Sequence, residues 1–249
     1  FNNNSYELTK VWRFNENQLL QDAYSASNGD KINFTKYRST ECELALCHTN
    51  DAVDVINKKW NEHYAKQHTK KKEVVGFDNT KFIMYVDLKV MAYKTHAGNT
   101  FTNSQDLTVK SWTDTTFQLR DDKGNTIELD MKYTTSFKPR FSLTVHKSQG
   151  STYTDNYSIY EYESMKPRML YVALTRARTK NQVNFCKIDG YTPHTGHIYS
   201  YEYDGQHYIG STQNLKKRKD EHRDGTKAGN TKFKNAINKY GFDNLNYKV

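Results

Sequence analysis

Cysteine pairs are missing from this sequence. Its three cysteines, Cys42, Cys47 and Cys186, form no C-x-x-C and no metal-ligand spacing. That excludes a disulfide framework and a cysteine-based metal module, and points to structural thiols in a reducing, intracellular compartment. No signal-peptide pattern is present, and no apolar run is long enough to cross a bilayer, so membrane-spanning classes are excluded. No internal repeat is evident. The chain starts at Phe1 rather than Met and stops at Val249 within what reads as a strand, so a piece of a longer protein is expected.

What is present is basic and aromatic. The 249 residues include 37 Lys and Arg against 28 Asp and Glu, a formal net charge of +9. This surplus favours a polyanionic partner, because each cation that neutralises a phosphate releases a counterion. The 19 tyrosines suit both β structure and stacking on bases. The length allows one large or two modest domains with real cores.

Along the chain, "ECELALCHTN" reads as a buried strand ending in polar residues. In "NDAVDVINKKWNEHYAKQ", Ala52, Val55, Ile56 and Trp60 recur at helical spacing, with Thr49 or Asn50 as cap. From about residue 80 to 138 the pattern alternates, with a hairpin turn at Asp122–Asn125, and predicts a small inserted β-barrel. "FSLTVHKSQG" resumes the α/β pattern, "YSIYEY" reads as a strand, "MKPRMLYVALTRAR" as a helix and "NQVNFCKI" as a closing strand. Asp189–Gly196 is rich in turn formers and reads as a linker. Beyond it lie a hairpin turning at Asp204-Gly205, a basic helix, and a second helix stopped by Gly241.

The first chemical cluster is "LTVHKSQGST" with Arg176 of "YVALTRAR". A strand running into a polar, glycine-ended loop places Ser148, Gln149, Ser151 and Thr152 at the carboxyl edge of a parallel sheet, where open α/β folds bind ligands. Gly150 lets a backbone approach a ligand. Arg176 offers the fork that suits phosphate. These stretches resemble motifs V and VI of the second RecA-like domain of superfamily 1 DNA helicases, in particular the RecD-like 5′-to-3′ group. "LALCHTNDAVDVIN" resembles their motif IV, and "ELTKVWRF" the segment after motif III. The resemblance implies nucleotide contacts from Arg13, Gln149, Gly150 and Arg176. It implies contacts to a single strand from Thr49, Asn50, Thr144, His146, Lys147, Ser148, Ser151 and Thr152. No G-x-x-x-x-G-K-[ST] occurs, so nothing here cradles the β- and γ-phosphates.

The second cluster is "HIYSYEYDGQHYIGST" followed by Arg218 and His222 one helical turn apart. Tyrosine is a poor base at a pKa of about 10, so a cation or metal-bound water is expected to assist it. The segment resembles the GIY-YIG endonucleases, with His197 in place of the first glycine and Tyr208-Ile209-Gly210 intact. The resemblance implies that Tyr199 and Tyr208 orient or activate water, that Arg218 stabilises phosphorane charge, and that His222 supports them. The family's single divalent metal is held by a glutamate on a later helix, which lies beyond this sequence, and no metal ligand is assigned here.

The expected fold is therefore α/β: a RecA-like parallel-sheet domain over residues 1–188 with the inserted barrel, a linker at 189–196, and a partial GIY-YIG domain over 197–249. The expected function is part of an ATP-dependent helicase joined to a metal-dependent nuclease, using ATP with Mg and a second divalent metal. Its expected partners are single-stranded DNA for the first part and duplex or branched DNA for the second. A viral source would place it in the cytoplasm or nucleus of a host cell. A non-catalytic nucleic-acid-binding remnant and a fragment of an RNA helicase are the rival readings.

Overall fold

The computed structural model describes residues 17–98, 100–191, 197–212, 215–224 and 231–248. The chain divides into two compact units, Phe1–Tyr191 and Thr192–Val249. The division falls within the turn-rich segment expected as a linker, of which residues 192–196 lie outside the described residues.

The first unit begins with α1 (Asn17–Asn28), β1 (Leu44–Cys47) and α2 (Asn50–Ala65). Strands β2 (Lys71–Val75), β3 (Lys81–Tyr85), β4 (Lys89–Ala92), β5 (Asp106–Trp112), β6 (Thr116–Arg120), β7 (Thr126–Asp130) and β8 (Phe137–Pro139) follow. The chain then gives β9 (Ser142–Thr144), β10 (Tyr157–Ile159), α3 (Pro167–Leu174) and β11 (Val183–Phe185).

Strands β11, β10, β1 and β9 lie side by side in that order, all parallel. Successive residues of a strand point to opposite faces, and β1 serves both. Leu46 joins α1 and α3 on one side, while Ala45 and Cys47 join Ala52, Val53 and Ile56 of α2 on the other. Leu46 and Ile56 are fully buried, and each contributes about 1.5–3 kcal/mol by leaving water. The expected apolar stripe of α2 is shifted by two residues at one point. Val53 is buried and Val55 is 39% exposed, because the α2 face that meets β9 is set by Asn57 Oδ1, which accepts from the Phe141 and Ser142 amides at 3.0 and 2.9 Å.

The inserted region is not a closed barrel among the described residues. Its hydrogen-bonded order is β7-β6-β5-β4-β8, which leaves β7 and β8 as unjoined edges. A separate β2–β3 hairpin shares the core of this sheet, so the β-rich region starts near Lys71 rather than at residue 80. The β6–β7 turn matches expectation: Asp121 Oδ1 accepts from the Lys123 and Asn125 amides, and Gly124 has φ +88°.

In the second unit, β12 (His197–Tyr203), β13 (Gln206–Thr212), α4 (Leu215–Arg223), α5 (Thr231–Tyr240) and β14 (Asn246–Lys248) build a three-stranded antiparallel sheet with two helices. Asp204 and Gly205 take φ 47° and 68° at the hairpin turn, the geometry a two-residue connection requires. Gly241 ends α5 at φ +79°. The core is aromatic, with Tyr199, Tyr201 and Phe233 almost wholly buried. No described helix is long and apolar enough to cross a membrane, and the three cysteines are free thiols.

Candidate functional site

The carboxyl ends of β1, β9 and β10 bring most of the first cluster to one edge of the parallel sheet. After β9 the chain forms a single tight turn, His146–Ser148, and Gly150 then turns it back at φ +87°. Thr144 Oγ1 accepts from the Lys147 amide at 3.3 Å, and Ser148 Oγ donates to the Val145 carbonyl at 2.7 Å. Ser148 is fully buried, whereas His146, Gln149, Gly150 and Thr152 form an exposed rim and Ser151 is half-buried. Nothing stands within 4 Å of where a Gly150 side chain would project, so glycine is needed there for the backbone angle and the space in front is open.

Arg176 converges on this bend, but not in the role expected of it. Helix α3 ends at Leu174, and Arg176 is only 5% exposed. Its Nη1 donates to the Ser148 and Ser151 carbonyls at 3.3 and 2.8 Å. Nε donates to the Val172 carbonyl, and Nη2 to Thr175 Oγ1, both at 3.0 Å. A buried guanidinium must satisfy its donors, and here main-chain carbonyls do so. Arg176 thus clasps the bend to the end of α3 instead of offering a free fork to a phosphate.

Thr49 is similarly engaged. It caps α2 by accepting from the Ala52 amide at 3.2 Å, and its hydroxyl donates to Glu161 Oε1 at 2.9 Å. Glu161 Oε2 also accepts from the His48 and Thr49 amides at 3.0 and 2.9 Å. Glu161 follows β10 in a left-handed conformation, φ 56°. The crevice between the ends of β1 and β10, where the connections depart to opposite sides of the sheet, is therefore closed by an internal carboxylate. Asn50 remains exposed beside it. Nothing in the sequence pattern singled out Glu161, because its partners are far away in the chain.

Lys147 is half-buried and reaches across to the inserted sheet. Its ammonium lies 3.4 Å from the centroid of the Tyr93 ring. Burial and the neighbouring Lys138 charge push its pKa below the ordinary lysine value. Lys138 is buried and paired with Asp54 of α2 at 2.7 Å. Arg13 lies outside the described residues.

The guanidinium assigned to phosphate already holds four oxygens, and no group of three or more metal-ligating side chains occurs among the described residues.

The second cluster is assembled as the sequence suggested. Tyr199 faces Gly210 across the hairpin, and Tyr208 faces Tyr201. A methyl group at Gly210 would overlap the Tyr199 hydroxyl, which explains the glycine of that motif by space alone. Arg218 Nε donates to the Tyr199 hydroxyl at 3.1 Å, and that hydroxyl lies 2.7 Å from His222 Nε2. Tyr208 stacks on Phe233 with centroids 3.9 Å apart. Glu221 accepts from Arg218 Nη1 at 3.0 Å, a partner legible in the i, i+3 spacing but not assigned from it.

The electrostatics change the role of Tyr199. It is 2% exposed, and burial raises its pKa above the usual phenol value, with Tyr208 adding to the rise and Arg218 opposing it. The expected cation is in place but does not outweigh burial, so Tyr199 is a protonated phenol at neutral pH. His222 is 1% exposed, and burial, followed by the Arg218 charge, lowers its pKa. It is therefore neutral, and its Nδ1 has no hydrogen-bond partner among the described residues. Arg218 is held more firmly charged by Tyr199 and Glu221.

No family model and no curated protein matches the sequence. Solved structures do match. One, of two Pif1 helicases coordinating at forked double-stranded DNA, is 19% identical over 72% of this chain and 49% of its own, with a TM-score of 0.57. Pif1 from Bacteroides with ADP-AlF3 and single-stranded DNA is 18% identical over 72% and 51%, also at 0.57. Pif1 from Candida albicans is 12% identical over 72% and 55%, at 0.54. The chain spans about half the length of these structures and shares with them a mixed α/β fold built on a parallel sheet. The solved structures it resembles are Pif1 helicases.

Proposed function

We propose that the first unit is the second RecA-like domain of a superfamily 1 DNA helicase of the RecD-like 5′-to-3′ kind, and that it holds a single strand across its sheet edge. The supporting observation is the Arg176 clasp. By binding the Ser148 and Ser151 carbonyls it fixes a bend whose outward rim is His146, Gln149 and Thr152. Preset polar groups of this kind hold a strand by its phosphates without reading its sequence. ATP hydrolysis would require a phosphate-binding loop from another domain, since this sequence has none. The test is binding of a labelled oligodeoxythymidine to the full chain, followed by fluorescence anisotropy. Replacing His146 and Gln149 together by alanine should weaken binding by about tenfold, or about 1.4 kcal/mol. Unchanged affinity would remove this edge from the strand path.

A second activity is favoured by the cluster of the other unit. Tyr199, Tyr208, Arg218 and His222 have the residue types and proximity of a GIY-YIG phosphodiesterase site, in which Tyr199 and Tyr208 orient water and Arg218 meets developing negative charge. The divalent metal of such a site would need a carboxylate from outside the described residues. Nicking of supercoiled plasmid with added Mg or Mn, lost in Arg218→Ala while DNA binding persists, is the expected result. Equal nicking by both proteins would sink the assignment.

A further inference from the structure

The tip of the β2–β3 hairpin turns through left-handed backbone. Asp78 and Asn79 are both at φ 59°, and their short polar side chains tolerate that conformation. Gly76 leaves no room for a side chain, since a Cβ there would meet the Phe137 carbonyl at 2.7 Å and the Phe82 ring at 2.9 Å. The turn is closed by the Gly76 amide donating to the Thr80 carbonyl at 2.6 Å and by Thr80 Oγ1 donating to the Phe77 carbonyl at 2.7 Å. The product of this construction is the placement of Phe77. Its ring stacks on Tyr93 with centroids 5.0 Å apart and planes 26° apart, and both rings are half-buried.

Three ammonium groups surround the pair. Lys147 caps Tyr93 at 3.4 Å; a stacked ring leaves no room for a cation that close on the shared face, so Lys147 lies on the far one. Lys94 stands 5.6 Å from the Phe77 centroid, and Lys138 stands 5.7 and 5.5 Å from the Phe77 and Tyr93 centroids. Only Lys138 has a carboxylate partner among the described residues, Asp54. Lys94 and Lys147 form no ion pair among them, so the patch carries uncompensated positive charge beside two half-buried aromatic rings. Aromatic faces among backbone-binding cations are the chemistry that holds single-stranded nucleic acid, because every base has a π-face.

We infer that Phe77, supported by Tyr93, is a base-stacking station for single-stranded nucleic acid, with Lys94 and Lys147 receiving the adjoining phosphates. The inference extends the strand-binding reading of the first unit and rests on it. It carries the strand from the bend after β9 onto the inserted sheet, because Lys147 belongs to the bend and Tyr93 to the sheet. Stacking, unlike the phosphate contacts of the bend, depends on a base being present.

The test compares a short labelled oligodeoxythymidine with an abasic oligomer of the same sugar-phosphate length, on the full chain. Phe77→Leu keeps apolar bulk without a π-face, and Phe77→Trp keeps the face; Phe77→Ala accompanies them, with thermal melting as a check on folding. Expected is about a tenfold loss for Leu and Ala on the thymidine oligomer, the lower part of the range for one stacked base. The abasic oligomer should show no such loss, and Trp should bind as the native chain does. Lys147→Ala should weaken both oligomers alike and flatten the salt dependence by about one counterion. Equal losses on both oligomers, or no loss, would overturn the stacking station while leaving strand binding in place. Failure of the native chain to bind either oligomer would overturn the strand-binding reading, and the station with it.

Discussion

Each unit is organised around one arginine held at its polar cluster, and the two arginines do different things. Arg176 donates to three main-chain carbonyls and one hydroxyl, at 5% exposure. Arg218 donates to the Tyr199 phenol and to the Glu221 carboxylate on its own, partly exposed helix. Neutral carbonyls fixed in the backbone make the first arginine a determinant of loop shape. Ionisable side chains make the second a determinant of charge, since its field acts on Tyr199 and His222. Both residues are arginines; the acceptor decides the role.

This contrast can be broken most directly by removing both arginines in turn. Arg176→Ala leaves buried carbonyls unsatisfied and should lower the stability of the first unit by about 3 kcal/mol, read by hydrogen exchange of the β9 amides. Arg218→Ala should change the stability of the second unit by under about 1 kcal/mol, because its ion pair is partly solvated. Equal effects would erase the distinction. Gly210→Ala, which forces a methyl group onto the Tyr199 hydroxyl, should destabilise the second unit by about 2 kcal/mol. If the unit tolerates it, the Tyr199–Arg218 geometry is not tightly specified.

Acid should separate the units further. The folded pKa of His222 is lowered by burial, so the unfolded chain takes up the proton first. The second unit should keep its stability above pH of about 6.5 and lose it as the pH falls below, by at most about 1.4 kcal/mol per pH unit. His222→Gln should flatten that slope in exchange measurements on β12, and a slope that persists would assign it to other groups. The smallest effect is expected away from both arginines. Lys81→Ala removes an exposed pair with Glu73, 3.2 Å long, and should change stability by less than about 0.5 kcal/mol in urea unfolding.

How much of this was legible beforehand differs by region. The second cluster could be read almost whole, because a hairpin and the next helix bring Tyr199, Tyr208, Arg218 and His222 together through local structure. What spacing does not report there is the burial by Tyr201, Phe233 and their neighbours that raises the Tyr199 pKa further. At the first cluster the convergence of Arg176 with the polar bend was anticipated, but its acceptors were not. The alternating pattern predicts a barrel where the sheet is open, because alternation reveals strands and not whether their outer edges meet. Helix α1 went unnoticed, since Leu19, Ala23 and Ala26 make a weak stripe that only packing against α3 completes.

By itself, then, the order of residues determined the periodic elements, their turns and the polar groups at strand ends, because φ/ψ preference and hydrophobic period act over a few neighbours. Contacts between distant segments were decided only in the folded chain: Glu161 against Thr49, Arg176 against Ser151, and Phe77 against Tyr93 beside Lys147. Such pairings depend on how layers of side chains fill space and satisfy buried polar atoms together, a condition set by the whole packed unit and not by any one stretch of it.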